Sequence, residues 1–83
     1  IFVNHPGYPT NSVWTTAAKA RLATVNTHIA TAAFNKAVPL VDISGLTLTA
    51  AEMDSTGRYP NAKGEHRIST AIGTQVATIF GWY

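Results

Sequence analysis

The strongest pattern in the first half of the chain is a repeat of apolar side chains at helical spacing. Intervals of four, four, three, four and four residues separate Trp14, Ala18, Leu22, Val25, Ile29 and Ala33. This spacing predicts one apolar stripe on a helix of roughly 20 residues. Asn11 or Ser12 is a suitable N-cap for that helix. Asn35 is a suitable end, because asparagine tolerates left-handed backbone.

Two short apolar runs flank this helix and predict strands. Residues 1–4 form the first run, which ends at a turn containing two prolines and a glycine. Residues 38–43 form the second run and are apolar almost throughout, which is typical of a strand covered on both faces. A strand, a helix and a strand in this order predict a parallel pair with a right-handed crossover.

The second half of the chain predicts a polar loop and another long helix. Thr49 can cap one helical turn over residues 50–53, and residues 54–59 form the loop. A helix over residues 61–80 follows, with apolar side chains at Ile68, Ile72, Val76 and Ile79. Gly73 lies inside it at a cost of about 1 kcal/mol relative to alanine, which predicts close packing at that point. Trp82 and Tyr83 need a surface to lie on.

The composition indicates one small domain that associates with something else. The chain has 83 residues, of which only 12% are charged, and this deficit predicts that part of the surface is covered. Two parallel strands do not form a stable sheet alone, and the chain starts directly inside a strand-like run. We therefore expect an incomplete sheet that is completed by a homo-oligomer or by a missing N-terminal part of the same protein.

Several classes of partner are excluded at this stage. The net charge of +2 is small and the basic residues are scattered, which argues against nucleic acid. No apolar run approaches the roughly 18–20 residues of a membrane span. The chain contains no cysteine, so disulfides and thiolate metal sites are excluded. The three histidines lack ligand spacing, and we expect neither a metal nor a cofactor.

The polar turn before the second helix carries a motif. Residues 56–64 read Thr-Gly-Arg-Tyr-Pro-Asn-Ala-Lys-Gly. They resemble the last block of the SGNH/GDSL hydrolases, where an Asp-x-x-His-Pro-Asn-x-x-Gly run supplies two members of a catalytic triad. The other elements are similar in order, including an asparagine (Asn26) near the middle of the first helix. The resemblance implies that residues 1–83 are the C-terminal half of such a domain. They would form a β-α-β-α piece of a flavodoxin-like three-layer α/β sandwich with parallel strands.

The two catalytic positions of this motif are substituted. The family's aspartate falls on Thr56 and its histidine on Tyr59. A phenol ionises near pH 10, so Tyr59 cannot take the proton of a serine near neutral pH. Thr56 has no charge with which to stabilise an imidazolium. The family's nucleophile block, Gly-Asp-Ser, does not occur in the sequence.

Two functions follow from the resemblance. The first is a catalytically silent module that acts in binding or assembly within a larger extracellular or virion-associated protein. The alternative is the C-terminal part of an SGNH/GDSL esterase or carbohydrate deacetylase whose nucleophile lies in an absent segment.

Ligand contacts are predicted around the motif and at the end of the first strand. Aromatic planes stack on sugar rings and arginine supplies a fork of donors, which makes a glycan one candidate ligand of Arg58 and Tyr59; the alternative is an exposed loop whose residues only cover the adjacent helix. The candidate residues are His5, Tyr8, Arg58, Tyr59 and Asn61. Trp14 is expected near the turn that follows the first strand. Asp42, at the end of the second strand, could face a site, but the resemblance implies that it anchors loop amides instead. His28 and His66 are interpreted as surface residues.

Overall fold

A computed structural model describes residues 1–81 of the chain. It contains two strands, β1 (Phe2–Val3) and β2 (Leu40–Val41), and two long helices, α1 (Thr16–Asn35) and α2 (Ala62–Phe80). A 3-10 helix covers Ala50–Glu52. The order β-α-β-α and the mixed α/β class agree with the sequence prediction.

The two strands pair in parallel, as predicted. Phe2 lies opposite Leu40, and Val3 lies opposite Val41. The amides of Phe2 and Asn4 donate to the carbonyls of Pro39 and Val41 at 3.0 and 3.2 Å. The strands are shorter than the apolar runs that predicted them. Beyond them, Gly7 and Thr47 form an isolated parallel bridge.

Helix α1 begins later than predicted, because another residue caps it. The Thr15 hydroxyl accepts a hydrogen bond from the Ala18 amide at 3.2 Å. Asn11 instead accepts from the amides of Val13 and Trp14 at 2.8 and 2.7 Å, which folds a separate turn before the helix. Trp14 therefore lies outside α1, and its assignment to the apolar stripe was wrong.

The end of α1 is where it was predicted, although its geometry differs. Asn35 is the last helical residue, and Lys36 follows it in right-handed helical conformation. The left-handed residue is Ala37, with a φ of 53°. The amides of Lys36 and Ala37 still satisfy carbonyls of the last turn, at Ala32 and Phe34.

Helix α2 follows the prediction closely. The Asn61 side chain caps it by accepting from the Gly64 amide at 3.0 Å, and Gly81 ends it at a φ of 67°. The predicted close packing at Gly73 was wrong, because a Cβ at that position would meet nothing within 4 Å. The expected surface for Trp82 and Tyr83 lies outside the described residues. No helix in residues 1–81 is both long and apolar enough to cross a membrane.

The core is small and is formed by β2, the segment that follows it and one residue of α1. Its buried apolar side chains are Ala33, Val41, Ile43, Leu48 and Met53. Of the stripe predicted on α1, only Ala33 is buried, and Val25 is 44% exposed. Much of the apolar surface of α1 thus lacks a partner within the described chain.

Candidate functional site

The loop that carries the motif is a tight hairpin. The Asp54 amide donates to the Tyr59 carbonyl at 2.8 Å, and the Gly57 amide donates to the Asp54 carbonyl at 3.0 Å. Met53 and Pro60 form an antiparallel bridge at its base. Gly57 has a φ of 72°, which glycine adopts without strain. The backbone hydrogen bonds thus close the hairpin.

Thr56, which the sequence resemblance aligns with the aspartate of the SGNH/GDSL motif, is part of this hairpin. Its hydroxyl and its amide donate to Oδ1 of Asp54 at 2.5 and 3.0 Å. The same hydroxyl oxygen accepts from the Arg58 amide at 3.2 Å. The hydrogen bond from the Thr56 side chain is the main cause that lowers the pKa of Asp54 below its usual value. Thr56 thus organises the loop, and its hydroxyl is already engaged.

A second turn, which follows β1, braces this hairpin from the side. The Asn11 amide group donates to the Gly57 carbonyl at 3.0 Å, and the Trp14 indole donates to the Arg58 carbonyl at 3.0 Å. Trp14 is stacked on Tyr8, with ring centroids 4.2 Å apart and planes 5° apart. Partial burial raises the pKa of Tyr8. The hairpin and the turn form one surface, which we call the loop face (residues 8–14 and 54–60).

Three of the candidate ligand residues, Tyr8, Arg58 and Tyr59, lie on the loop face. Arg58 and Tyr59 lie on exposed positions of the hairpin, and Tyr59 is 62% exposed. Tyr8 is half-buried under its stack with Trp14. The loop face therefore presents one free aromatic side chain and one guanidinium.

Asn61 has a structural role in the fold. Its side-chain nitrogen donates to the carbonyls of Ala51 and Met53 at 2.8 and 3.1 Å, while its oxygen caps α2. Its amide donates to the Glu52 carbonyl at 2.8 Å. These bonds tie the start of α2 to the segment before the hairpin, and they occupy the polar atoms that a ligand would otherwise contact.

His5 contributes its backbone to the fold, and its side chain is exposed. The Asn26 side chain accepts from the His5 amide at 2.8 Å and donates to the His5 carbonyl at 3.0 Å. Within residues 1–81 no hydrogen bond reaches any of the imidazoles of His5, His28 or His66, all of which are exposed. The same residues contain no group of three side chains that could hold a metal ion.

Asp42 anchors the end of β2, as the sequence indicated. Its Oδ1 accepts from the Asn4 side chain at 2.8 Å and from the amide and hydroxyl of Ser44 at 3.0 and 2.6 Å. The Asn4 side chain also accepts from the Ile43 amide at 2.7 Å and is itself buried. These hydrogen bonds, with the one from Asn4 as the largest cause, lower the pKa of Asp42. The group holds the two strand ends together.

A buried carboxylate was missed in the sequence reading. Glu52 is only 3% exposed, and its Oε1 accepts from the amide and hydroxyl of Thr49 at 2.8 and 2.9 Å and from Arg67 at 2.5 Å. Its Oε2 has no partner among the described residues. The Thr49 amide is the main cause of a lowered pKa at Glu52. The signal was available as Thr-x-x-Glu, the sequence of a capping box.

No family model, curated protein or solved structure matches the chain in the three comparisons that were made. The resemblance to the SGNH/GDSL hydrolases therefore rests on the motif and the order of elements in the sequence alone.

Proposed function

We propose that the chain is a catalytically silent SGNH-like module that acts by assembly within a larger extracellular or virion-associated protein. The observation that carries the proposal is the exposed apolar surface of β1 and α1. Ile1, Phe2, Val3 and Val25 are 56, 37, 41 and 44% exposed. Such a patch is typical of a surface that contacts another polypeptide.

The residues of the hairpin support the part of this proposal that concerns the lack of catalysis. General-base catalysis needs an imidazole within hydrogen-bond reach of a nucleophile, and position 59 carries a phenol instead. The Thr56 hydroxyl is engaged with Asp54, at 2.5 Å. The loop is thus braced as a rigid unit without the groups that hydrolysis requires.

Two measurements on the isolated chain test the proposal. Hydrolysis of p-nitrophenyl acetate should not exceed that of free imidazole at the same concentration. Sedimentation should show a folded species heavier than a monomer at micromolar concentration. Turnover that disappears in His5→Ala or His66→Ala would contradict the silent module, and a stable monomer would contradict assembly.

A second candidate function is glycan binding on the loop face. It is favoured by the exposure of Tyr59, at 62%, on a hairpin that two side chains brace. An aromatic plane of this kind stacks on a sugar ring. Chitooligosaccharides should shift the Tyr59 ring resonances by NMR, and Tyr59→Ala should abolish binding. Phe34→Ala, which removes an aromatic ring that is 86% exposed elsewhere, is the matched control.

A further inference from the structure

A cavity of about 410 Å³ lies between α1 and the carboxyl ends of the two parallel strands. Asn4 and Asp42, which follow β1 and β2, line its strand end, and α1 lines another wall with Lys19, Leu22 and Asn26. These three helical residues recur at intervals of three and four, which places them on one face. Ligands of open α/β sheets bind at the carboxyl ends of the strands, and a cavity of this size suits a small molecule.

The strand end of the cavity holds a carboxylate with an unused oxygen. Oδ1 of Asp42 accepts from the Asn4 side chain and from the amide and hydroxyl of Ser44. Within residues 1–81, no hydrogen bond or ion pair reaches Oδ2. The bonds to Oδ1, above all the one from Asn4, lower the pKa of Asp42, so the group is charged near neutral pH. The free oxygen can therefore accept from an ammonium group.

The other end of the cavity holds an ammonium group. Nζ of Lys19 donates to the Thr10 hydroxyl at 3.0 Å, which uses one of its donors and leaves others free. Among the described residues Lys19 forms no ion pair. Tyr8 also lines the cavity, and partial burial raises the pKa of its hydroxyl, which stays protonated as a donor. This end of the cavity can therefore bind a carboxylate.

The two charged ends are separated along α1. Asn26 marks the level of the strand end on the helix, because its side chain bonds the amide and the carbonyl of His5, the residue after Asn4. Lys19 precedes Asn26 by seven residues, which is about 10 Å along the helix axis. Leu22 lines the cavity between these two levels and makes its middle apolar.

We propose that this cavity binds an extended zwitterion, with the carboxylate of the ligand at Lys19 and its ammonium group at Asp42. A ligand of this class makes a charge-assisted hydrogen bond at each end and covers the apolar wall between them. An extended peptide spans about 3.3–3.6 Å per residue, so a tripeptide with free termini covers about 10 Å. An ω-amino acid of similar length carries the same two charges without a peptide backbone. The inference is independent of assembly, because the cavity shares no residue with the exposed patch of β1 and Val25.

NMR titration of the isotope-labelled chain tests the class of ligand. Trialanine at about millimolar concentration should shift the amides of Leu22, Ala23 and Ser44, which line the cavity. N-acetyl-trialanine and trialanine amide each lack one of the two charges. Each should bind about tenfold more weakly or worse, since a hydrogen bond to a charged group contributes such a factor. Glycine, whose two charges are too close together, should bind more weakly still.

A second zwitterion separates the two sources of this chemistry. 8-Aminooctanoate carries the two charges at a separation similar to that in trialanine. Equal affinity for both ligands would show that the cavity recognises the charged ends of an ω-amino acid. Tighter binding of trialanine would show that it recognises a peptide.

Variants of the chain assign the two ends of the ligand. Lys19→Met removes the ammonium group and keeps the length of the side chain, so it should weaken trialanine about tenfold and leave trialanine amide unchanged. Asp42→Asn keeps Oδ1 and replaces Oδ2, so it should weaken trialanine and leave N-acetyl-trialanine unchanged. Arg21→Met, the matched control, removes a positive charge from an exposed position of α1 outside the cavity and should change neither.

The outcomes are distinct from those of a purely structural effect, which would weaken all ligands alike. Circular dichroism checks that each variant is folded, and N-acetyl-trialanine tests the contact with Asp42 if Asp42→Asn is not. The proposal is overturned if trialanine shifts none of the cavity amides, if its capped forms bind equally well, or if Lys19→Met behaves like Arg21→Met. Such a result leaves the proposed function standing, because sedimentation measures assembly separately.

Discussion

Replacing Gly64 with alanine should destabilise the fold, although alanine is the better helix former. Gly64 is buried in the first turn of α2. A Cβ at this position would lie well inside 3.0 Å of the Glu52 carbonyl oxygen and 3.0 Å from the Pro60 Cβ. The oxygen belongs to the backbone and already accepts from the Asn61 amide, at 2.8 Å. Relief therefore requires the segment at Glu52 and the start of α2 to move apart.

The expected cost follows from the size of this clash. Overpacking of this kind costs about 1–3 kcal/mol, and a backbone contact belongs at the upper end. The gain from helix propensity, about 1 kcal/mol in a helix interior, is smaller. At about 4–8 °C per kcal/mol for a domain of this size, the net loss lowers Tm by about 5–15 °C.

Gly73→Ala is the matched control in the same helix. A Cβ at this position would meet nothing within 4 Å, so only the propensity term remains. It should stabilise the chain by about 0.5–1 kcal/mol and raise Tm by a few degrees.

Thermal unfolding followed by circular dichroism, with both variants at the same protein concentration, measures the two changes. The concentration is held fixed because association shifts Tm. A Gly64→Ala variant as stable as Gly73→Ala would refute the close approach of Glu52 to the start of α2. The pairing of the hairpin base with that helix would then be wrong.

Three further predictions concern carboxylates. Because the pKa of Glu52 is lowered in the fold, its stabilising contribution is present above its usual pKa of 4.5 and is lost as pH falls through the lower folded value. Wild-type Tm should therefore exceed that of Glu52→Gln at pH 7, and the two should converge in acid; parallel curves would contradict this. Thr56→Asp should lower Tm, since it removes the bond to Asp54 and adds a like charge. If the hairpin is a disabled catalytic loop, adding Thr56→Asp to Tyr59→His should raise the imidazole pKa in an NMR titration, and equal pKa values would reject the SGNH interpretation.

The sequence was sufficient to predict those elements that depend on interactions between neighbouring residues. Helix α2 begins at the cap Asn61 and ends at Gly81. Both signals act within one turn, because Asn61 caps the first amides and Gly81 accepts left-handed backbone. The parallel order of β1 and β2 followed from chain connectivity, since a helix between two strands forces a crossover.

Tertiary contacts decided the elements for which the sequence allowed more than one structure. The sequence predicted Asn11 or Ser12 as the cap of α1, but Thr15 caps the helix, and Asn11 instead folds the preceding turn and contacts the Gly57 carbonyl, 46 residues away. The partner of Glu52 is Arg67, which the sequence places 15 positions further on. Neither contact leaves a periodic signal, because each depends on how distant segments meet.

The apolar pattern predicts that a side chain is buried, but it does not identify the segment or partner that buries it. From Ala18 onward the predicted stripe is helical, yet Val25 remains 44% exposed. Apolar periodicity identifies the face of a helix that is buried. It is the same whether that face packs in the core of the domain or in an interface with another polypeptide. Only the three-dimensional arrangement showed that this face, together with the open edge of β1, has no partner among the described residues.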